Sequence, residues 1–365
     1  MSAADLHFLV PGPLDQRTGG YIYDARIVDG LRRRRREVAV HELAGEFPAG
    51  DARARSSLAG TLAGLPAGAR VVIDGLAMGA LPELVRPEGA RLRLLALVHL
   101  LLADETGLDA AQHDRFVALE RDALAACTGV LATSACTAER VAELGVAAAA
   151  IRAVPPGTDP APPAAGPGPD APPRLLCVAS VTPRKGQDVL VRALERLADR
   201  PWSCVCAGSL SRAPAFARAV ERQVRAAGLA ARIAFPGECD AEAVAALYDA
   251  SSVFVLPSHA EGFGMVLTEA LARGLPVVST TGGAIPHTVP ADAGLLVAPG
   301  DDAALAGALA RLLPSAPGGP PTEPAARLAA AARRHAASLP DWEEATDKFA
   351  AAVADLTAAG QESAP

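Results

Sequence analysis

The chain has 365 residues, more than one hydrophobic core ordinarily organises, so two domains are expected. Half of the residues are hydrophobic and 21% are charged, a balance that suits a globular α/β protein and excludes a disordered chain. A net charge of −7 with 4% aromatic residues argues against nucleic acid as the main partner, although a local basic cluster could still hold a phosphorylated small molecule.

The N-terminus runs straight into an apolar strand over residues 6–10, with no basic region or cleavage site of the signal-peptide kind. No apolar run approaches the roughly 20 residues that a membrane helix needs, so a cytoplasmic protein without membrane association is expected. Further strands are predicted at 38–43, 70–74, 93–98 and 129–132, with helices at 110–126 and 137–144. The segment Val154-Pro155-Pro156-Gly157-Thr158-Asp159 leads into a Pro/Ala/Gly-rich tract that ends near Pro173 and reads as a linker. Strands then follow near 175–179, 204–207, 232–235, 253–256, 276–279 and 294–297, with helices at 186–198, 214–227, 241–249, 264–273 and 302–313. After a second Pro/Gly tract at 314–324, two Ala-rich helices close the chain.

This alternation of strand and helix is the pattern of parallel sheets. It divides the chain into an N-terminal domain (1–158), a linker (159–173), a second domain (174–338) and a C-terminal helix and tail (339–365). Ligands of such sheets bind beyond the carboxyl ends of the strands, here expected in a cleft between the domains. Six cysteines are scattered without a C-x-x-C pair, and Cys204 and Cys206 alternate along one strand. Buried, reduced thiols are the expected state rather than metal ligands. Arginines 32–36 fall at the end of the first helix, where cations suit the dipole, and are expected to be solvated there.

One segment carries chemistry: Pro257-Ser258-His259-Ala260-Glu261-Gly262-Phe263-Gly264-Met265-Val266-Leu267-Thr268-Glu269. A buried strand ends in a glycine-rich turn, and a helix begins near Gly264. The unpaired amides of its first turn suit a diphosphate, and Gly262 and Gly264 let the backbone approach it. Glu261 and Glu269 stand eight residues apart. On one helix that would be about 12 Å, longer than the roughly 5–9.5 Å of a paired-carboxylate glycosidase, and better suited to a long ligand held at both ends. Of 34 Lys and Arg residues only Lys185 and Lys348 are lysines. Lys185 opens a helix, where a cation opposes the dipole and needs an anionic partner.

The Glu261-x7-Glu269 pattern with Gly262-Phe263-Gly264 resembles the signature of the retaining glycosyltransferases of family 4, which have the GT-B fold. Other segments resemble that family in the right order: Thr18-Gly19-Gly20, His99, the linker, Pro183-Arg184-Lys185-Gly186, Phe235-Pro236-Gly237 and Gly282-Gly283-x-x-Pro286. The resemblance implies two Rossmann-like parallel-sheet domains facing a cleft, with the C-terminal helix crossing back to the N-terminal domain. It also implies transfer of a hexosyl group from a nucleoside-diphosphate sugar, UDP first, to an acceptor hydroxyl, with retention and without a metal or other cofactor.

By the same resemblance Glu261 faces hydroxyls of the donor sugar and Glu269 the ribose, with Gly264, Met265 and Val266 presenting amides beside Gly262 and Phe263. Lys185 meets the diphosphate, Gly19 and Gly20 approach the phosphates, His99 lies near the reacting end of the sugar, and Glu238 lies by the base. Relatives carry an arginine about five residues before the lysine; this chain has Ser180 there, and Arg184 is the candidate replacement. Tyr21 and Tyr23 fit either the acceptor side or the core, and His259 has no assigned direction. The acceptor is expected to be a small or sugar-containing molecule, and nothing in the sequence fixes the oligomeric state. The alternatives are a nucleotide-sugar epimerase or phosphorylase on the same plan, or a non-catalytic nucleotide-sugar-binding protein. An NAD-using epimerase is disfavoured, because no segment reads G-x-G-x-x-G.

Overall fold

The computed structural model describes residues 4–168, 171–316 and 319–359. The chain divides into two units: one comprises the residues up to Gly157 together with those from Pro340 onward, the other Thr158–Leu339.

The first unit is built from β1 (Leu6–Pro11), α1 (Gly19–Arg33), β2 (Val38–Leu43), α2 (Ala52–Gly64), β3 (Arg70–Asp74), α3 (Gly75–Met78), α4 (Pro82–Val85), β4 (Arg93–Val98), α5 (Ala110–Leu124), β5 (Gly129–Ala132), α6 (Ala135–Glu143) and β6 (Ile151–Ala153). Its six strands are all parallel, in the order β2-β1-β3-β4-β5-β6. Near-continuous apolar runs such as Arg93-Leu-Leu-Ala-Leu-Val98 form the inner strands because helices cover both faces of the sheet. Helix starts follow the side-chain chemistry: Asp51, Asp109 and Ser134 each accept a backbone amide of the first turn. The edge strand β6 is absent from the sequence expectation, since three residues of ordinary hydrophobicity carry too little pattern to stand out.

The second unit runs through β7 (Arg174–Val178), α7 (Gln187–Glu195), β8 (Ser203–Ala207), α8 (Pro214–Ala226), β9 (Ile233–Gly237), α9 (Ala241–Asp249), β10 (Val253–Leu256), α10 (Met265–Ala272), β11 (Val277–Thr280), α11 (Ile285–Thr288), β12 (Gly294–Val297), α12 (Asp302–Leu312) and α13 (Glu323–Ala336). Its strands are again parallel, in the order β12-β11-β10-β7-β8-β9. The chain builds outward from β7 through β8 to β9, then returns to add β10 on the other side of β7. The carboxyl ends of β7 and β10 therefore form the switch point, where sheets of this kind bind their ligands.

The last helix, α14 (Trp342–Ala359), belongs to the first unit, as the expected crossing back requires. It lies so close to α1 that a Cβ on Gly30 would stand 2.2 Å from the Thr346 hydroxyl. Phe349 stacks on Phe8, and Trp342 meets Tyr23 edge-on. The arginine run is largely solvated, as expected, with Arg32, Arg33, Arg35 and Arg36 exposed and Arg34 half-buried. Arg33 pairs with Glu343 at 3.1 Å, and Arg34 with Glu343 at 2.8 Å and Asp347 at 2.6 Å. These exposed pairs add little energy but give α14 its acidic register on α1.

The proline-rich tract is fastened to the second unit. The Ala164 and Gly166 amides donate to the carbonyls of Arg273 and Asp249 at 2.9 and 2.8 Å. All six cysteines are free thiols, and Cys204 and Cys206 do share a face, with sulfurs 4.0 Å apart. No described helix is long and apolar enough to cross a membrane.

Candidate functional site

At the switch point of the second unit the loop after β7 meets the loop after β10. Gly186 sits at φ +69°, and a Cβ there would lie 2.3 Å from the Pro257 carbonyl, so only glycine permits the approach. Hydrogen bonds then strap the two loops together. The His259 amide donates to the Arg184 carbonyl at 2.7 Å, and the Arg184 guanidinium donates to the Ala260 carbonyl at 2.9 Å. Thr280 and Thr288 hydroxyls hold the carbonyls of Ser258 and Phe263 at 2.5 and 2.7 Å. On the far side the Ala284 amide donates to the Glu261 carbonyl at 2.8 Å. A Cβ on Gly283 would stand 2.4 Å from that carbonyl, which explains the paired glycines read at 282 and 283.

This strapping brings Lys185 and Glu261 together across 76 residues of sequence. Lys185 Nζ donates to Glu261 Oε1 at 2.5 Å, and Arg184 stands 3.5 Å from Oε2. Glu261 is the anionic partner that a lysine at a helix start requires. Burial acts to raise the Glu261 pKa, but the charges of Lys185 and Arg184 outweigh it and hold the carboxyl below its ordinary value. Burial lowers the Lys185 pKa, with the attraction of Glu261 opposing it.

Immediately beyond, Gly264 at φ +88° serves as the N-cap of α10 and makes no side-chain cap, leaving the Met265 and Val266 amides for another acceptor. Glu261 precedes the cap on the loop, and Glu269 lies inside α10. Glu269 has its own support, which the sequence reading missed. The Tyr248 hydroxyl, on α9, donates to Glu269 Oε2 at 2.9 Å or alternatively to the Val266 carbonyl at 3.1 Å. The Arg273 guanidinium lies over the Tyr248 ring, 4.6 Å from its centre. Burial, reinforced by Glu269, raises the Tyr248 pKa well above 10, so the phenol stays a donor.

Tyr248→Phe is therefore expected to loosen Glu269 and to cost about 1.5 kcal/mol of stability, the worth of one hydrogen bond to a charged group. A calorimetric melt checks this, and an unchanged melting temperature would show that the bond does not support Glu269. Glu238 is exposed, at the end of the edge strand β9, and the Ser180 carbonyl accepts the Gln187 side chain at 3.1 Å.

His99, Gly19 and Gly20 belong to the first unit, where β1 has β2 on one side and β3 on the other. His99 follows β4, and its Nε2 is 3.0 Å from Asp24 Oδ1 on α1 and 4.0 Å from Asp74 Oδ2 at the end of β3. A Cβ on Gly20 would be 3.2 Å from His99 Cδ2, so this glycine makes room for the imidazole. Asp24, Asp74 and His99 bring three potential ligand atoms within 4.8 Å of one another, the one such group among the described residues. Tyr21 and Tyr23 are buried, their hydroxyls donating to the carbonyls of Pro11 and Val154, and serve the core.

Neither aspartate has a local signal in the sequence. Glu120 is likewise silent there: it accepts the Leu102 and Ala103 amides at 2.7 and 3.0 Å, and burial pushes its pKa up to about 7. It anchors the turn that follows His99, beside Asp104, which is held by Arg140 at 2.7 Å.

The two six-stranded parallel units with their flanking helices define a GT-B protein. The chain superposes on sucrose-phosphate synthase from Thermosynechococcus elongatus with a TM-score of 0.79 at 24% identity, over 97% of this chain and 99% of that one. It superposes on Anabaena HepE in complex with UDP-glucose with a TM-score of 0.73 at 18% identity, over 96% and 99% of the two chains.

Within that fold, residues 172–315 match the family model of glycosyl transferases group 1. Among curated proteins, a D-inositol 3-phosphate glycosyltransferase of Corynebacterium diphtheriae is 34% identical over 47% of this chain and 40% of its own length. The protein of the same description from Xylanimonas cellulosilytica is 36% identical over 51% of this chain and 42% of its own length. The chain thus spans about two fifths of the curated relatives it matches.

Proposed function

We propose that this chain is a glycosyltransferase that moves a hexosyl group from a nucleoside-diphosphate sugar, UDP-linked in the first instance, to an acceptor hydroxyl with retention of configuration. The observation that carries the reading is the Lys185–Glu261 pair at the β7/β10 switch point, with the uncapped start of α10 three residues further on. The group 1 match over the same segment supports it, as does the likeness in fold to a protein solved with UDP-glucose.

In this reading the bond from the anomeric carbon to the diphosphate breaks while the acceptor oxygen bonds to that carbon on the same face. The acceptor's proton passes to the departing diphosphate. Lys185 and the Met265 and Val266 amides offset the charge that develops there, which is the task a metal would otherwise perform. Glu261 and Glu269 hold sugar and ribose hydroxyls, Arg184 supports the phosphate end, Glu238 lies towards the base, and His99 hydrogen-bonds the transferred sugar. The acceptor is a small polyol or sugar-containing molecule, a choice supported by the description of the inositol-phosphate relatives. Free thiols and a nucleotide-sugar substrate both suit the cytoplasm.

A thermal-shift screen against UDP- and GDP-sugars, followed by assay of nucleotide release over an acceptor panel, tests the proposal. Stabilisation by a UDP-sugar is expected, with release that depends on acceptor and persists in a chelator. Interconversion of the sugar without release would favour an epimerase. Donor binding with no turnover on any acceptor would favour a binding protein.

A further inference from the structure

The Asp24–His99–Asp74 cluster of the first unit surrounds the histidine that the reading above places on the transferred sugar. Asp24 is fully buried within α1; its Oδ1 faces His99, its Oδ2 has no hydrogen-bond partner among the described residues, and a protonated Asp74 is the further donor this carboxylate can meet. A buried carboxylate in that state is costly unless a cation faces it, and the facing group is the His99 imidazole at 3.0 Å. The ring is fixed on its other sides as well. Tyr23 meets it edge-on at 5.4 Å between centres, and Gly20 lies against its Cδ2 edge. The titratable groups against the ring are thus Tyr23 and Asp24 from α1 and Asp74 from β3, while Thr133, just beyond β5, reaches only the His99 carbonyl. The His99 side chain is 21% exposed, and both of its carboxylate contacts are made through Nε2.

We propose that Asp24 and Asp74 are positioning residues for His99: together they hold the ring by Nε2 and keep it an imidazolium, so that it meets a ligand as a hydrogen-bond donor through Nδ1–H. Asp24 is the nearer carboxylate, at 3.0 Å from Nε2. Asp74 is the adjustable one: burial and the neighbouring Asp24 push its pKa up to about 7, even though its Oδ1 accepts the Leu76 amide. Burial acts to lower the His99 pKa, but Asp24 and then Asp74 outweigh it and the net direction is upward. The ligand class is an oxygen acceptor, either a sugar hydroxyl or a phosphate oxygen, and the link to turnover rests on the transferase reading above.

The full chain carrying isotope-labelled histidine reads the ring directly, with His99→Gln identifying its resonance. In the wild type both ring nitrogens of His99 are expected to stay protonated to a pH above the ordinary 6.5 of histidine. Asp24→Asn should lower that midpoint by about one pH unit or more, and Asp74→Asn by less. A His99 midpoint near 6.5 that Asp24→Asn leaves in place would overturn the proposal. So would a shift of the resonance on adding Zn²⁺ or Mg²⁺ alone, which would make the cluster a metal site.

In turnover, Asp24→Asn should lower kcat about tenfold and move the alkaline limb of kcat/KM to lower pH by the same amount, because activity is lost as pH rises through the His99 pKa. An unchanged limb would remove Asp24 from the reaction. Separate titration with a UDP-sugar and with inorganic phosphate, following Nδ1, distinguishes the two oxygen sources, and a Nδ1 signal that responds to neither overturns the donor role. A wild type that turns over no donor would sink the transferase reading and leave the ring titration to decide this one. Asp24→Glu, which restores the charge, guards against a merely structural loss.

Discussion

Lys185→Ala is expected to reduce nucleotide release at least about 100-fold, the scale of removing one group aimed at developing charge. The contact of Lys185 with Glu261 adds a second consequence that the sequence alone did not suggest. Removing the lysine leaves a carboxylate, itself 7% exposed, with Arg184 at 3.5 Å as its remaining cation among the described residues. Breaking one side of such a pair costs about 3 kcal/mol. The variant is therefore expected to melt at a lower temperature as well as to lose activity.

The double variant Lys185→Met/Glu261→Gln separates the two effects. With neither charge buried, it should regain most of the lost stability and none of the turnover. Glu261 is held below its unfolded value of 4.5, so its share of the stability is present above that value and lost as pH falls through the lower, folded pKa. Calorimetric melts and acceptor-dependent nucleotide release check both parts. Turnover surviving in Lys185→Ala, or returning in the double variant, would falsify the catalytic role.

Gly186→Ala should be the most damaging small substitution in the second unit. The residue must hold φ +69°, which costs an alanine about 1–2 kcal/mol, and its Cβ would collide with the Pro257 carbonyl at 2.3 Å. Because that carbonyl is backbone, the loops after β7 and β10 must separate, and a total loss of roughly 2–4 kcal/mol is expected. The same separation pulls Lys185 from Glu261, and a misplacement of about 1 Å at such a site costs about 100-fold in rate. Alanine at Gly60, inside α2 where a Cβ meets nothing within 4 Å, is the control that should leave turnover in place and melting no lower. A Gly186→Ala protein with wild-type melting and turnover would show that the loops do not depend on this contact.

Much of the architecture is set by local chemistry and is therefore legible in the chain itself. Strands β2, β3, β4, β5, β10 and β12 begin and end where the apolar runs do, and α9 where its Asp240 cap and its periodicity place it. The strand–glycine turn–helix around Gly264 is legible for the same reason: the buried strand, the left-handed turn and the helix start each need particular residues within a few positions.

What tertiary structure alone decides is which distant residues meet. Lys185 and Glu261 are 76 residues apart, and His99 and Asp24 are 75. They come together because the chain places β10 beside β7 and β3 beside β1, and sheet order leaves no mark on the residues within a strand. An aspartate such as Asp24, set in an ordinary helical stretch, looks like any solvated acid. Only the turn of α1 that buries it, against a histidine delivered by another strand, gives it a partner and a charge to hold.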